Sequence, residues 1–108
     1  MKTLKNFEYE FRELCHKELT PRQKEKEEKL QRLASLVYKE FGLDKPPNVL
    51  MVPEELWLHV SDRYDSDGHN SPCYDPPRIE IRADTDRPVF VLFHEMIHLA
   101  DSKNFSLD

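Results

Sequence analysis

Glycine and cysteine each occur only twice in these 108 residues, tryptophan once, and no apolar run reaches the ~20 residues needed to span a bilayer. A membrane-spanning segment is therefore not expected. The opening residues Met1-Lys2-Thr3-Leu4 lead into charge instead of the apolar core of a signal peptide, so a soluble, cytoplasmic protein is expected. Two thiols, Cys15 and Cys73, do not make a disulfide framework, and in a cytosolic chain they read as plain residues. Basic charge is also short: 16 Lys and Arg against 21 Asp and Glu leave a net charge of −5, which argues against a sequence-independent nucleic-acid binder. There are no repeats and no low-complexity linker. A chain of this size folds as one domain, residues 1–108, with a modest core and room for one activity. The scarcity of glycine beside 34% charged residues is compatible with a thermophilic source.

What is present is concentrated near the C-terminus. His94-Glu95-Met96-Ile97-His98 follows the apolar stretch Val89-Phe90-Val91-Leu92-Phe93, and its two histidines and one glutamate are the only ionisable side chains between Pro88 and Asp101. In a helix, residues four apart share one face with Cβ atoms ~5–6 Å apart, so two imidazoles can bind one metal ion. Glu95 projects from beside that face, where a carboxylate reaches a water at the metal without taking a ligand position. The pattern implies metal-assisted hydrolysis with His94 and His98 as ligands of one Zn2+ ion and Glu95 as the catalytic base. Burying three such groups without partners would be costly, which favours a metal over isolated core histidines.

Upstream, Phe7, Phe11, Leu14 and Cys15 recur at helical spacing, predicting an amphipathic helix over residues 4–19 that serves as lid, interface or core. Thr20-Pro21-Arg22-Gln23 predicts a new start, with Thr20 as N-cap and Gln23 closing a capping box. Leu30, Leu33, Ala34, Val37 and Phe41 mark the apolar face of this second helix. Lys24 to Lys29 reads as two solvated turns, and Gly42 with Leu43 as a Schellman ending. Val49 to Val52 and Leu56 to Val60 are expected strands, and the polar stretch Ser61 to Pro72 an irregular loop. Within that loop Asp62, Asp65, Asp67 and Gly68 lack the spacing and closing glutamate of a calcium site, so solvated loop is the reading. Cys73-Tyr74 and Arg78 to Arg82 flank Asp75-Pro76-Pro77 as a tight hairpin, its second arm alternating like a half-exposed edge strand. Asp84-Thr85-Asp86 and Pro88 then open the helix that carries the motif.

This order of elements, with the His-Glu-x-x-His helix last, resembles the N-terminal part of the zincin metallopeptidases of the gluzincin group. It looks most like the minigluzincins, soluble proteins of about this size from thermophilic prokaryotes. The likeness runs from Thr20 to Asp101, and the five-residue motif is its specific part. It implies a small α+β zincin-like domain, with a backing helix and a short mixed sheet packed on a buried active-site helix. The implied activity is zinc-dependent peptide-bond hydrolysis, with an extended peptide or protein substrate added along the edge strand Arg78 to Arg82.

The resemblance also predicts a third ligand from a downstream helix, whereas this sequence ends at Asp108. His59, His69, Cys73, Glu80, Asp101 and Asp108 are the candidates, with Asp101 better suited to orienting His98. Tyr64, Tyr74, His59 and His69 are candidate oxyanion donors. Minigluzincins are latent forms whose C-terminal segment fills the cleft, so Asn104 to Asp108 is expected to lie there, with Phe105 or Leu107 in a subsite. Two rivals stand beside the peptidase: a zincin-fold zinc-binding or interaction module without catalysis, and a metal-free helical scaffold. In the latter, the Phe7/Phe11/Leu14 helix would mediate a homodimer.

Overall fold

The computed structural model describes the backbone of residues 4–57, 66–72 and 74–106, and the side chains of 10–57, 66–72 and 74–100. It is an α+β domain with the order α1 (Leu4–Glu18), α2 (Pro21–Glu40), β1 (Asn48–Val52), α3 (Glu54–Trp57), β2 (Gly68–Ser71), β3 (Arg78–Arg82) and α4 (Pro88–Ser106). None of these helices is long and apolar enough to cross a membrane.

Both ends of α2 follow the local chemistry of the sequence. Thr20 Oγ1 accepts from the Gln23 N–H at 3.1 Å and Gln23 Oε1 from the Thr20 N–H at 2.9 Å, closing the capping box. At the other end Leu43 donates to the Tyr38 carbonyl at 2.8 Å and Gly42 to that of Lys39 at 3.1 Å, the Schellman pattern. It requires the φ of +68° that Gly42 adopts. Two positions on α2 depart from expectation. Phe41 is 74% exposed and Tyr38 takes its place in the core. Glu27, expected in a solvated run, is buried because it shares the face of Leu30 and Ala34.

The sheet runs β1-β3-β2, parallel between β1 and β3 and antiparallel between β3 and β2. On one face Val49, Met51, Ile79 and Ile81 pack with Leu30, Ala34 and Tyr38 of α2 and Val91, Leu92, Met96 and Leu99 of α4. On the other, Leu50 and Val52 pack with Cys15 and Phe11 of α1 and Trp57 of α3. Helix α1 thus covers the second face of the sheet through Phe11 and Cys15, while Leu14 stays 45% exposed and the side chain of Phe7 lies outside the described residues.

Arg78 to Arg82 is the central strand, not an edge, and its residues are buried except for half-buried Arg82. Two of the charges that suggested exposure lie under α1 and pair with each other: Arg78 Nε donates to Glu80 Oε1 at 2.8 Å, and the Arg78 guanidinium stands 5.6 Å from the Phe11 ring. The third, Arg82, pairs with Glu54 of α3 and with Asp84. The hairpin exists, but its first arm is β2, four residues inside the stretch expected to be loop. Leu56 and Trp57 belong to the helical turn α3 instead of a strand, and 58–65 lie outside the described residues.

Helix α4 starts at Pro88, with Arg87 N–H on Thr85 Oγ1 at 3.3 Å and Thr85 Oγ1 on Asp67 Oδ2 at 3.0 Å. Asp67 is therefore tied down, not a solvated loop residue. The helix is half-buried where a buried one was expected. Val91, Leu92, Glu95, Met96 and Leu99 face the sheet, and Val89, Phe90, Phe93, His94, Ile97 and His98 face outward. It continues through Ser106, so residues 104–106 extend along its axis and do not turn back as a tail into the cleft. Leu107 and Asp108 lie outside the described residues.

Candidate metal and hydrolytic site

The helical repeat of α4 sets His94 and His98 at the border of its exposed arc and Glu95 just inside the buried one. The two imidazoles converge, Nε2 to Nε2 at 3.1 Å, with ring centroids 4.6 Å apart at 80°. Two ring nitrogens pointing at each other need either a shared proton or a cation between their lone pairs. Nitrogens bound at ~2.0–2.1 Å to a tetrahedral zinc stand about 3.3 Å apart. The observed separation is close to that value, so the donor pair fits the ion.

Glu95 is held from the sheet. Asn70 Nδ2 donates to Glu95 Oε1 at 2.8 Å. Gly68, the other β2 residue on that face, lies so close to α4 that a Cβ there would meet Val91 Cγ1 at 2.5 Å and Glu95 Oε2 at 3.0 Å. The strand register puts Gly68 opposite Ile81 and Asn70 opposite Ile79, on the face that α4 covers. A cleft of about 200 Å³ opens here, lined by residues that include Asp67, Gly68, Arg87, Phe90, His94 and Glu95. Arg87 brings a positive charge to it and lies 5.1 Å from the Phe90 ring, which in turn stacks on His94 at 6.1 Å.

The same register excludes several expected participants. His69 and Ser71 point to the opposite face of the sheet, where His69 Nδ1 lies 3.2 Å and Ser71 Oγ 2.8 Å from the buried Glu80 carboxylate. His69 and Glu80 are therefore not ligands beside His94 and His98. Tyr74 lies against the Arg78 guanidinium at 4.6 Å, on that far face as well, which removes Tyr74 and His69 as oxyanion donors. Among the described residues no third His, Cys, Asp or Glu completes a metal group. His59, Tyr64, Cys73, Asp108 and the side chain of Asp101 lie outside the described residues.

Asn70 and Gly68 are the site residues that sequence reasoning missed. A glycine and an amide two apart are the signal of one strand face that approaches another backbone closely. Comparison with known proteins adds no identification: no family model, no curated protein and no solved structure matches this chain.

Proposed function

We propose that this chain is a zinc-dependent metallopeptidase domain of zincin type. One observation carries the reading: Glu95, buried and fixed by Asn70, flanks two converging imidazoles on the same helix at the mouth of a cleft. His94 and His98 would hold the ion through Nε2. Zinc bound there would acidify a water and polarise a scissile carbonyl. Glu95 takes the proton of the attacking water and returns it to the leaving amine. Asn70 occupies Oε1, which leaves Oε2 as the working oxygen. Arg87 supplies positive charge to the developing anion side of the cleft.

The substrate strand moves with the sheet order. The bond from Arg82 N–H to the Asp67 carbonyl, at 2.9 Å, makes Asp67 and Arg82 a hydrogen-bonded pair. By alternation the backbone groups of Gly68 and Asn70 then face away from β3. Ser66 Oγ already donates to the Gly68 carbonyl at 2.7 Å, so Asn70 offers the outward N–H and C=O to which an extended peptide adds. This replaces Arg78 to Arg82 as the docking edge.

Elemental analysis of the purified chain should find zinc, lost in His94→Ala/His98→Ala. Glu95→Gln should keep the metal and lose ~10²–10⁴-fold in hydrolysis of an unfolded protein substrate. Undiminished cleavage by Glu95→Gln would refute the peptidase reading. A zinc-binding interaction module without catalysis is the second reading. It is favoured by the apolar surface that α4 leaves open and by the two ligands found among the described residues.

A further inference from the structure

Val89, Phe90, Phe93 and Ile97 are 49%, 59%, 39% and 60% exposed, and all lie within the outer arc of α4 whose border carries His94 and His98. At ~150–250 Å² for a large apolar side chain, the exposed part comes to about 400 Å². That is a contiguous patch of the size of the largest one an ordinary monomer exposes, and such patches are often functional. A standard interface buries about 800 Å² per partner, a little over half of it apolar. The strip thus has the size of the apolar core of one half of such an interface.

The metal chemistry points the same way. His94 and His98 give two ligands, tetrahedral zinc takes four, and the described residues of one copy offer no third. A two-fold axis through the ion doubles two ligands to four and places one α4 strip against its own copy, which is how isologous dimers close. We propose that a second copy of this chain covers the face. His94 and His98 of both copies would close a four-imidazole zinc site on the axis, with Phe90, Phe93 and Ile97 packed across it. The proposal rests on the zinc-binding half of the reading above and not on peptide hydrolysis. A four-ligand site has no open position, so the dimer is the resting form and separation of the copies frees the cleft beside Glu95.

Sedimentation equilibrium of the full chain, metal-free and with added zinc, tests this together with elemental analysis of the dimer. The expected result is a zinc-dependent dimer with one ion per two chains, reversed by chelator. His94→Ala/His98→Ala should stay monomeric with zinc while keeping the wild-type circular dichroism. Ile97→Asp, at an exposed position, should keep its fold and weaken the zinc-linked dimer by at least about tenfold, the effect of losing one well-packed contact. A monomer that binds one zinc per chain in excess metal would overturn the proposal, as would a dimer indifferent to Ile97→Asp. If that monomer cleaves peptides through Glu95, the dimer fails and the peptidase stands. If the dimer forms but the Ile97→Asp chain, kept monomeric by dilution in the presence of zinc, cleaves nothing, the peptidase fails and the dimer stands. A folded chain that binds no zinc overturns both.

Discussion

A single hydrogen atom at position 68 decides how closely β2 and α4 approach. Replacing it with the methyl of alanine puts a carbon 2.5 Å from Val91 Cγ1 and 3.0 Å from Glu95 Oε2. Overpacking of that kind costs ~1–3 kcal/mol. Gly68→Ala is expected to lower the urea midpoint and to cut hydrolysis, because the second contact displaces the carboxylate itself, while zinc content is unchanged. Adding Val91→Ala removes the tighter clash. It should restore most of the stability but not the activity, since the crowding at Oε2 persists. Equal recovery of both would mean that Gly68 acts through packing alone. At this scale the histidine spacing and the position of Glu95 were legible, because helix periodicity alone fixes which residues share a face. Asn70 was not, because its partner is 25 residues away and its strand turns toward a carboxylate instead of an apolar core.

Among the elements, β1 shows how side chains can stand in for a strand. Gln31 Oε1 accepts from the Val49 N–H at 2.8 Å, its Nε2 donates to the Pro47 carbonyl at 2.9 Å, and Glu27 Oε2 accepts from the Met51 N–H at 2.8 Å. Residues four apart on α2 thus cap alternate groups along the outer edge of β1, an edge that would otherwise invite pairing. The second oxygen of Glu27 lies 2.6 Å from His16 Nε2 and ties α1 to the same place. Gln31→Leu keeps the volume but leaves the Val49 N–H without its acceptor, so a loss of ~1–3 kcal/mol is expected. It would be read as a lower urea midpoint with an unchanged slope. A midpoint equal to that of the wild type would show that the Val49 bond contributes nothing. The capping was within reach of the sequence, since Glu27 and Gln31 flank Leu30 on its own face. The rank of β3 was not: Arg-Ile-Glu-Ile-Arg alternates as an exposed edge does, and only the docking of α1 makes its charged face an interior one.

For the molecule as a whole, the apolar run Val49 to Val52 already implied cover on both faces, since consecutive apolar residues of a strand point to opposite sides. What the run could not name was the helix that supplies the second cover, because nothing local to β1 distinguishes α1 from any other amphipathic helix. Cys15, fully buried against Leu50 and Trp57, reports on that docking. Burial pushes its thiol up to about 12 from an ordinary 9.0, and the nearby Glu27 carboxylate adds to the shift against the opposing Arg78 and Arg12. The sign follows from which state ionises first. Below 9.0 the thiol is neutral folded or unfolded, and its contribution to stability is fully present. As pH rises toward 12 the unfolded chain loses its proton while the folded one retains it, and that contribution is lost. Because the thiolate is the nucleophile, native Cys15 should resist alkylation at mildly alkaline pH until α1 leaves the sheet. Mass-spectrometric mapping of the modified peptide over a urea series gives the rate. If α1 and the sheet form one cooperative unit, as the shared hold of Glu27 on His16 and Met51 implies, Cys15 should be labelled only as fast as circular dichroism shows the whole chain unfolding. Labelling faster than that would show that α1 lifts on its own and uncovers Arg78, Glu80 and the far side of β3 while the site on α4 stays assembled.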